Sequence, residues 1–118
     1  MSFTQDAVSA TIRTALDGLS ARQRVVADNI ANIDTPGFTA RKVEFETALQ
    51  GAVSEGSMTL GQVSPTTSAR STPVGPNGNN VDLATETLAA TQSLFQYQMM
   101  TRAVSDRTAR VTTVLGGA

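Results

Sequence analysis

Apolar side chains recur along the first third of the chain at Ile12, Leu16, Leu19, Val26, Ile30 and Ile33. The steps between them are four, three, seven, four and three residues, and the gap of seven spans Gln23. This is the a/d spacing of an amphipathic helix with one polar a position. It predicts a helix over 1–33. Ser2 followed three residues later by Gln5 fits a capping box at its start. Gly18 weakens that helix by about 1 kcal/mol relative to alanine, so tertiary packing is expected to compensate.

The helical pattern stops at Asp34-Thr35-Pro36-Gly37. Thr35 precedes proline and is pushed out of the α region. Pro36 and Gly37 suit the two central positions of a type II turn. A charged stretch follows at Arg41-Lys42-Val43-Glu44, and then Phe45, Leu49 and Val53 repeat every fourth residue. That spacing predicts a short second helix within 34–53.

The pattern then disappears. Of the 27 residues from Ser54 to Asn80, 19 are Gly, Pro, Ser, Thr or Asn, and only Met58, Leu60, Val63, Ala69 and Val74 are apolar. So little apolar surface does not offset an ordering cost of about 1–2 kcal/mol per residue. An irregular, flexible segment is expected over 54–80, with short extended pieces around Met58–Val63 ordering on assembly.

Periodicity returns over 81–115. Asn80 or Asp82 suits the N-cap, and Glu86 in the first turns complements the helix dipole. One heptad series is Leu83, Ala90, Tyr97, Val104 and Val111; its partner series is Thr87, Leu94, Thr101, Thr108 and Leu115. Phe95, Met99, Met100 and Val114 widen the stripe beyond a two-stranded seam. Gly116-Gly117 suits the end of the helix. The expected fold is all-α: long N- and C-terminal helices packed as an antiparallel coiled-coil-like pair, with a short second helix and the irregular middle. All 118 residues form one domain.

Composition thins this picture and removes chemistry from it. Aromatic residues make up only 4 % of the chain. Large side chains contribute most burial energy, roughly 1.5–3 kcal/mol each, so the core is thin. A lone monomer is expected to be marginal, with association a source of stability. The formal net charge of −1 offers no basic stripe for nucleic acid. With neither cysteine nor histidine, disulfides are excluded and the commonest general base and metal ligand are missing. Asp28, Asp34 and Glu86 have no base, oxyanion donor or metal cluster beside them. No enzyme activity, cofactor, metal or small-molecule substrate is expected. The N-terminus lacks the basic and apolar regions of a cleavable signal, and no apolar run reaches the roughly 18 residues of a membrane span.

One block is specific. Asp28-Asn29-Ile30-Ala31-Asn32-Ile33-Asp34-Thr35-Pro36-Gly37-Phe38 resembles the N-terminal signature of bacterial flagellar axial proteins. These are the rod, hook and hook–filament junction subunits, whose pattern is Asn-(Ile/Leu)-Ala-Asn and then Thr-x-Gly-(Tyr/Phe). Asn29, Ala31, Asn32, Thr35, Gly37 and Phe38 fill it, with Phe38 where tyrosine is common. The forms Asp34–Phe38 with Ala40–Glu46, and Gly78-Asn79-Asn80-Val81-Asp82-Leu83, resemble the short proximal members of the flagellar basal body rod protein family. The resemblance covers the chain outside 51–76.

The resemblance implies a structural subunit of the basal body rod whose terminal helices pack into a torque-transmitting tube. It implies passage through the flagellar type III export apparatus without cleavage of a signal peptide. The implied partners are further copies of the chain, rod subunits of the FlgC, FlgF and FlgG type, a FliE-type adaptor, and the MS-ring and export gate. The assembly corner it implies is Asn29, Ala31, Asn32, Asp34, Thr35, Pro36, Gly37 and Phe38. The helix seams are expected to meet neighbours as well as each other. A helical adaptor or chaperone of the export system is the alternative reading.

Overall fold

The computed structural model describes the backbone of residues 3–56 and 63–115, and the side-chain surroundings of residues 7–56 and 63–106. The Ser2–Gln5 capping box, Met58, Leu60, the side chains of Thr108, Val111, Val114 and Leu115, and Gly116-Gly117 lie outside the described residues. The elements are α1 (Phe3–Ala31), β1 (Arg41–Glu44), α2 (Glu46–Ser54), β2 (Thr66–Ala69) and α3 (Leu83–Leu115). The chain extends 65 × 30 × 15 Å.

Helix α1 unwinds through tighter bonds. Asn32 N donates to Asp28 O and Asn29 O, and Ile33 N to Ile30 O. The turn expected at Pro36-Gly37 follows: Phe38 N donates to Thr35 O at 3.2 Å, and Gly37 has φ +74°. A type II turn requires positive φ at that position, and nothing lies within 4 Å of the place where a Cβ would stand.

The fold is mostly helical, broadly as expected, with one small two-stranded sheet added. The charged stretch after the turn is β1, paired antiparallel with β2 in the register Arg41↔Ala69, Lys42↔Ser68, Val43↔Thr67 and Glu44↔Thr66. Val43 is buried while Arg41 and Glu44 stay exposed. A single inward residue in a four-residue strand gives no legible period. Its partner strand, exposed at every position, comes from the segment expected to be irregular. The short second helix is α2, whose Leu49 reaches the core while Val53 is exposed.

Helix α3 starts at an Asp82 N-cap. Ala84 N donates to Asp82 Oδ1 at 3.1 Å, and Thr85 Oγ1 to Oδ2 at 2.9 Å. It runs antiparallel to α1. Its first turn reaches the last turn of α1 through Glu86 and Asn29, and Tyr97 and Met100 pack further back, on the cluster that contains Leu19.

The core is small. Leu19, Val43 and Phe45 form its centre, with Ala15, Ala21, Val25, Leu49, Tyr97 and Met100 packed around it. Gly18 is explained here. The Phe45 ring lies where its side chain would be: a Cβ would sit 2.5 Å from Cε1 and Cγ. The Arg22 guanidinium stands 5.0 Å from the ring centroid and forms a fork onto Glu46, with bonds of 2.7 and 2.6 Å. The helix weakness at Gly18 thus admits the buried aromatic ring at the centre of the core.

The face of α3 turned inward is spaced in fours and threes, at Glu86, Ala90, Ser93, Tyr97 and Met100, but it is not the apolar series expected. Leu83, Leu94 and Val104 are exposed. Ala90 and Tyr97 are half-buried, and the buried side chains of α3 are Glu86 and Ser93. Small or polar residues let two helices approach closely, and they carry no apolar periodicity to read. On α1, Leu19 and Val26 are buried, whereas Ile12, Leu16, Ile30 and Ile33 are half-buried.

Candidate functional site

The block that carries the resemblance closes a polar corner between the ends of α1 and α3. Asn29, in the last turn of α1, points across to β1 and α3. Its Nδ2 donates to Arg41 O at 2.7 Å and to Glu86 Oε2 at 3.0 Å, and its Oδ1 accepts from Arg41 N at 3.0 Å. One side chain thus occupies both main-chain groups of Arg41 as a neighbouring strand would. Asn32 does bond its helix: Nδ2 donates to Asp28 O at 2.8 Å, and Oδ1 accepts from Thr35 Oγ1 at 3.0 Å.

Glu86 is fully buried, at 0 % exposure. Burying a carboxylate costs several kcal/mol unless it is paired and hydrogen-bonded. Arg70, just beyond β2, supplies the charge: Nε lies 2.6 Å from Glu86 Oε1, and Nη2 is 3.4 Å from Oε2. With the Asn29 amide, this leaves both carboxylate oxygens bonded. The position of Glu86 in the first turn of α3 adds the favourable helix-terminal field, but its main partner is Arg70. The residue therefore joins three elements.

Asn79 and Asn80 complete the corner, both buried. Asn79 Nδ2 donates to Asn32 O and Thr35 O at 2.8 Å each, and Oδ1 accepts from Val81 N at 2.7 Å. It gives a second bond to two carbonyls of the turn after α1, which also accept from Thr35 N and Phe38 N. Asn80 Oδ1 accepts from Ala40 N at 2.6 Å, and Nδ2 donates to Arg70 O and Thr72 O. Gly37 N donates to Asn77 O at 2.9 Å. Gly78, with φ +78°, lies so close that a Cβ would meet Gly37 Cα at 3.3 Å.

Of the residues expected to form the corner, Asn29, Asn32, Thr35, Gly37 and Phe38 make these bonds, the last through Asn80 N to Phe38 O at 3.3 Å. Ala31, Asp34 and Pro36 are exposed beside them. Arg70 and the pairing of Glu86 were not found by sequence reasoning, and Asn79 and Asn80 were singled out there without their bonds to the corner. The available signal was the run Asn79-Asn80 before a helix, because adjacent asparagines in a loop suit backbone satisfaction. Nothing in the sequence pairs Arg70 with Glu86.

Elsewhere, the Arg22 hydrogen bond holds the Glu46 carboxyl below its ordinary value of 4.5, against the opposing effect of burial. Among the described residues, no group of three or more His, Cys, Asp or Glu side chains is placed to hold a metal ion, and no helix is long and apolar enough to cross a membrane.

Residues 11–39, which contain the end of α1 and the Pro36-Gly37 turn, match the family model described as Flagella basal body rod protein. The chain is 35 % identical to the flagellar basal body rod protein FlgB of Borreliella burgdorferi over 106 residues, 73 % of this chain and 78 % of that one. The chain belongs to the FlgB family of flagellar basal body rod proteins. The FlgB of Bacillus subtilis is 31 % identical over 118 residues, covering 90 % of this chain and 91 % of the relative. That of Escherichia coli is 31 % identical over 122 residues, covering 85 % and 88 %. As a member of the FlgB family, the chain is a structural subunit of the flagellar basal body rod, assembling with other rod components. The corner is then an architectural site: its polar groups are spent on fixing α1, the sheet and α3 to one another.

Proposed function

We propose that this subunit builds the proximal rod by presenting its two terminal helices as parts of a tube wall, with the polar corner holding them in a fixed relation. The observation that carries the reading is a contrast. The polar groups of the corner are bonded inward, whereas α3 turns Leu88, Leu94, Phe95 and Met99 outward. A helix pair so tied internally and so apolar externally is suited to lateral contact. The Asn29–Phe38 corner and the remaining seam positions would lie at subunit boundaries. The partners are further copies, rod subunits of the FlgC, FlgF and FlgG type, a FliE-type adaptor, and the MS-ring and export gate. The subunit reaches the rod through the flagellar type III apparatus without losing a signal peptide, and the finished tube transmits torque.

The test is deletion of the gene with complementation by the wild-type chain, followed by electron microscopy and cell fractionation. Loss of hooks and filaments, restored on complementation with the chain in the basal-body fraction, is the expected result. Normal filaments in the deletion strain refute the reading. Recovery of the chain solely from the cytoplasm favours an adaptor or chaperone of the export system instead.

A further inference from the structure

The sequence contains one Asn-Gly pair, Asn77-Gly78, and the fold accounts for its glycine. Gly78 has φ +78°, and a Cβ there would meet Gly37 Cα at 3.3 Å and Gly37 N at 3.5 Å. The backbone conformation and the close approach of the Pro36-Gly37 turn both oppose a side chain at this position. Glycine after asparagine carries a chemical liability, because asparagine is a labile residue. With no Cβ on Gly78, its amide nitrogen reaches the preceding carboxamide with little hindrance. Asn77 itself is exposed to water.

We propose that Asn77 is a site of spontaneous deamidation that the closed corner holds in check. Gly78 N gives up its proton and attacks Asn77 Cγ. The new C–N bond closes a five-membered succinimide, the Cγ–Nδ2 bond breaks, and Nδ2 takes up a proton and leaves as ammonia. Water then opens the ring. Opening at Cγ leaves aspartate. Opening at the main-chain carbonyl leaves isoaspartate, with the chain running through Cβ and Cγ. Water is consumed, ammonia is released, and nothing is oxidised or reduced.

The corner opposes the first step. Gly78 N donates to Gly75 O at 3.0 Å, so its proton is already engaged. The same turn is closed again by Gly75 N to Asn79 O at 2.9 Å, and Asn77 O accepts from Gly37 N at 2.9 Å. Asn77 Oδ1 accepts from Asn79 N at 3.2 Å. That bond polarises the carboxamide, but it also fixes the direction of the side chain. Attack needs the Gly78 proton free and the main chain able to rotate, so it waits for the corner to open. Loss of a single hydrogen bond of typical net worth corresponds to a factor of about five.

The isoaspartyl product does not fit the closed corner. Its main chain is longer by one methylene, next to a glycine that already touches Gly37. The oxygen that accepted from Gly37 N now belongs to a carboxylate branching off the chain. Asn79, whose Nδ2 bonds Asn32 O and Thr35 O, lies two residues on and is displaced. The aspartyl product keeps the backbone and an oxygen for Asn79 N. Asn77 thus records how long the corner has stood open, and isoaspartate prevents it from closing again.

The test incubates the full chain in mildly alkaline buffer, native and in guanidinium chloride. Asparagine, aspartate and isoaspartate at position 77 are resolved by peptide mapping with mass spectrometry. In the unfolded chain Asn77 is expected to react ahead of Asn29, Asn32, Asn79 and Asn80, whose following residues all carry side chains. In the native chain its rate should fall about fivefold or more. The isoaspartyl chain, separated by chromatography and refolded, should unfold at lower urea concentration than Asn77→Asp taken through the same steps, or fail to refold where Asn77→Asp succeeds. Equal rates in the native and unfolded chains, another asparagine reacting first, or an isoaspartyl chain no less stable than Asn77→Asp overturns the proposal.

Discussion

Gly18→Ala opposes two effects whose sizes can be compared. In a helix interior, alanine is favoured over glycine by about 1 kcal/mol. Here the new methyl would stand 2.5 Å from two carbons of the Phe45 ring, whereas carbon atoms rest at about 3.5–4.0 Å. The ring must retreat by at least about 1 Å. Phe45 is buried against Leu19 and Val43, and Arg22 covers it on the way to Glu46, so retreat disturbs the centre of the core. Forced repacking of this kind costs about 1–3 kcal/mol. Packing is expected to win, with a net loss of about 1 kcal/mol and at most about 2 kcal/mol. Urea unfolding followed by far-ultraviolet circular dichroism measures it. Repeating the substitution in a Phe45→Leu background removes the clash, and there Gly18→Ala should stabilise by up to about 1 kcal/mol. A reversal of sign is thus expected, with a coupling energy of about 2 kcal/mol. Stabilisation by Gly18→Ala in the wild-type background, or simple additivity of the two changes, refutes the argument.

Arg70→Ala leaves Glu86 buried with only the Asn29 amide and should cost about 3–5 kcal/mol, read as a lowered urea midpoint; a loss below 1 kcal/mol would mean the pair is not what closes the corner. Ser93 is buried and its hydroxyl has no hydrogen-bond partner among the described residues, so Ser93→Ala should raise stability by about 1 kcal/mol, and thermal unfolding would expose a loss. The Glu46 carboxyl is lowered below 4.5 by Arg22, so its contribution is fully present above that value and disappears as pH falls through the lowered one. Stability measured from neutral pH down through 4.5 should decline less steeply in Glu46→Gln than in wild type; identical profiles would remove the fork from the account.

The parts legible in the sequence are those fixed by local chemistry. The terminal helices follow from apolar spacing, the Thr35–Phe38 turn from proline followed by glycine, and the start of α3 from Asp82. What stayed hidden depends on distant partners. Val43 is one apolar residue in a charged stretch, and its strand exists because Thr66–Ala69 pairs with it. The face of α3 that meets α1 is marked by Glu86 and Ser93, whereas a reading weighted by large apolar side chains favours positions such as Leu83, Leu94 and Val104, which are exposed. Glu86 was read as a helix-end acid because its position alone suits one. The network of Asn29, Arg70, Asn79, Asn80 and Glu86 was invisible for the same reason: each residue is ordinary in a loop or at a helix end, and only the fold buries them together.

The corner also sets an order in time. Its bonds join residues far apart along the chain: Asn29 to Glu86 spans 57 positions, Asn79 to Asn32 spans 47, and Asn80 to Ala40 spans 40. Helical turns form within about a microsecond from neighbouring residues, whereas joining such distant segments requires closure of a long loop before any bond rewards it. The two helices therefore form early and the corner closes late. Until those bonds close, the corner does not hold α1 and α3 at a common angle, so the relation of the two helices is set by the slowest contacts in the fold rather than by the helices themselves.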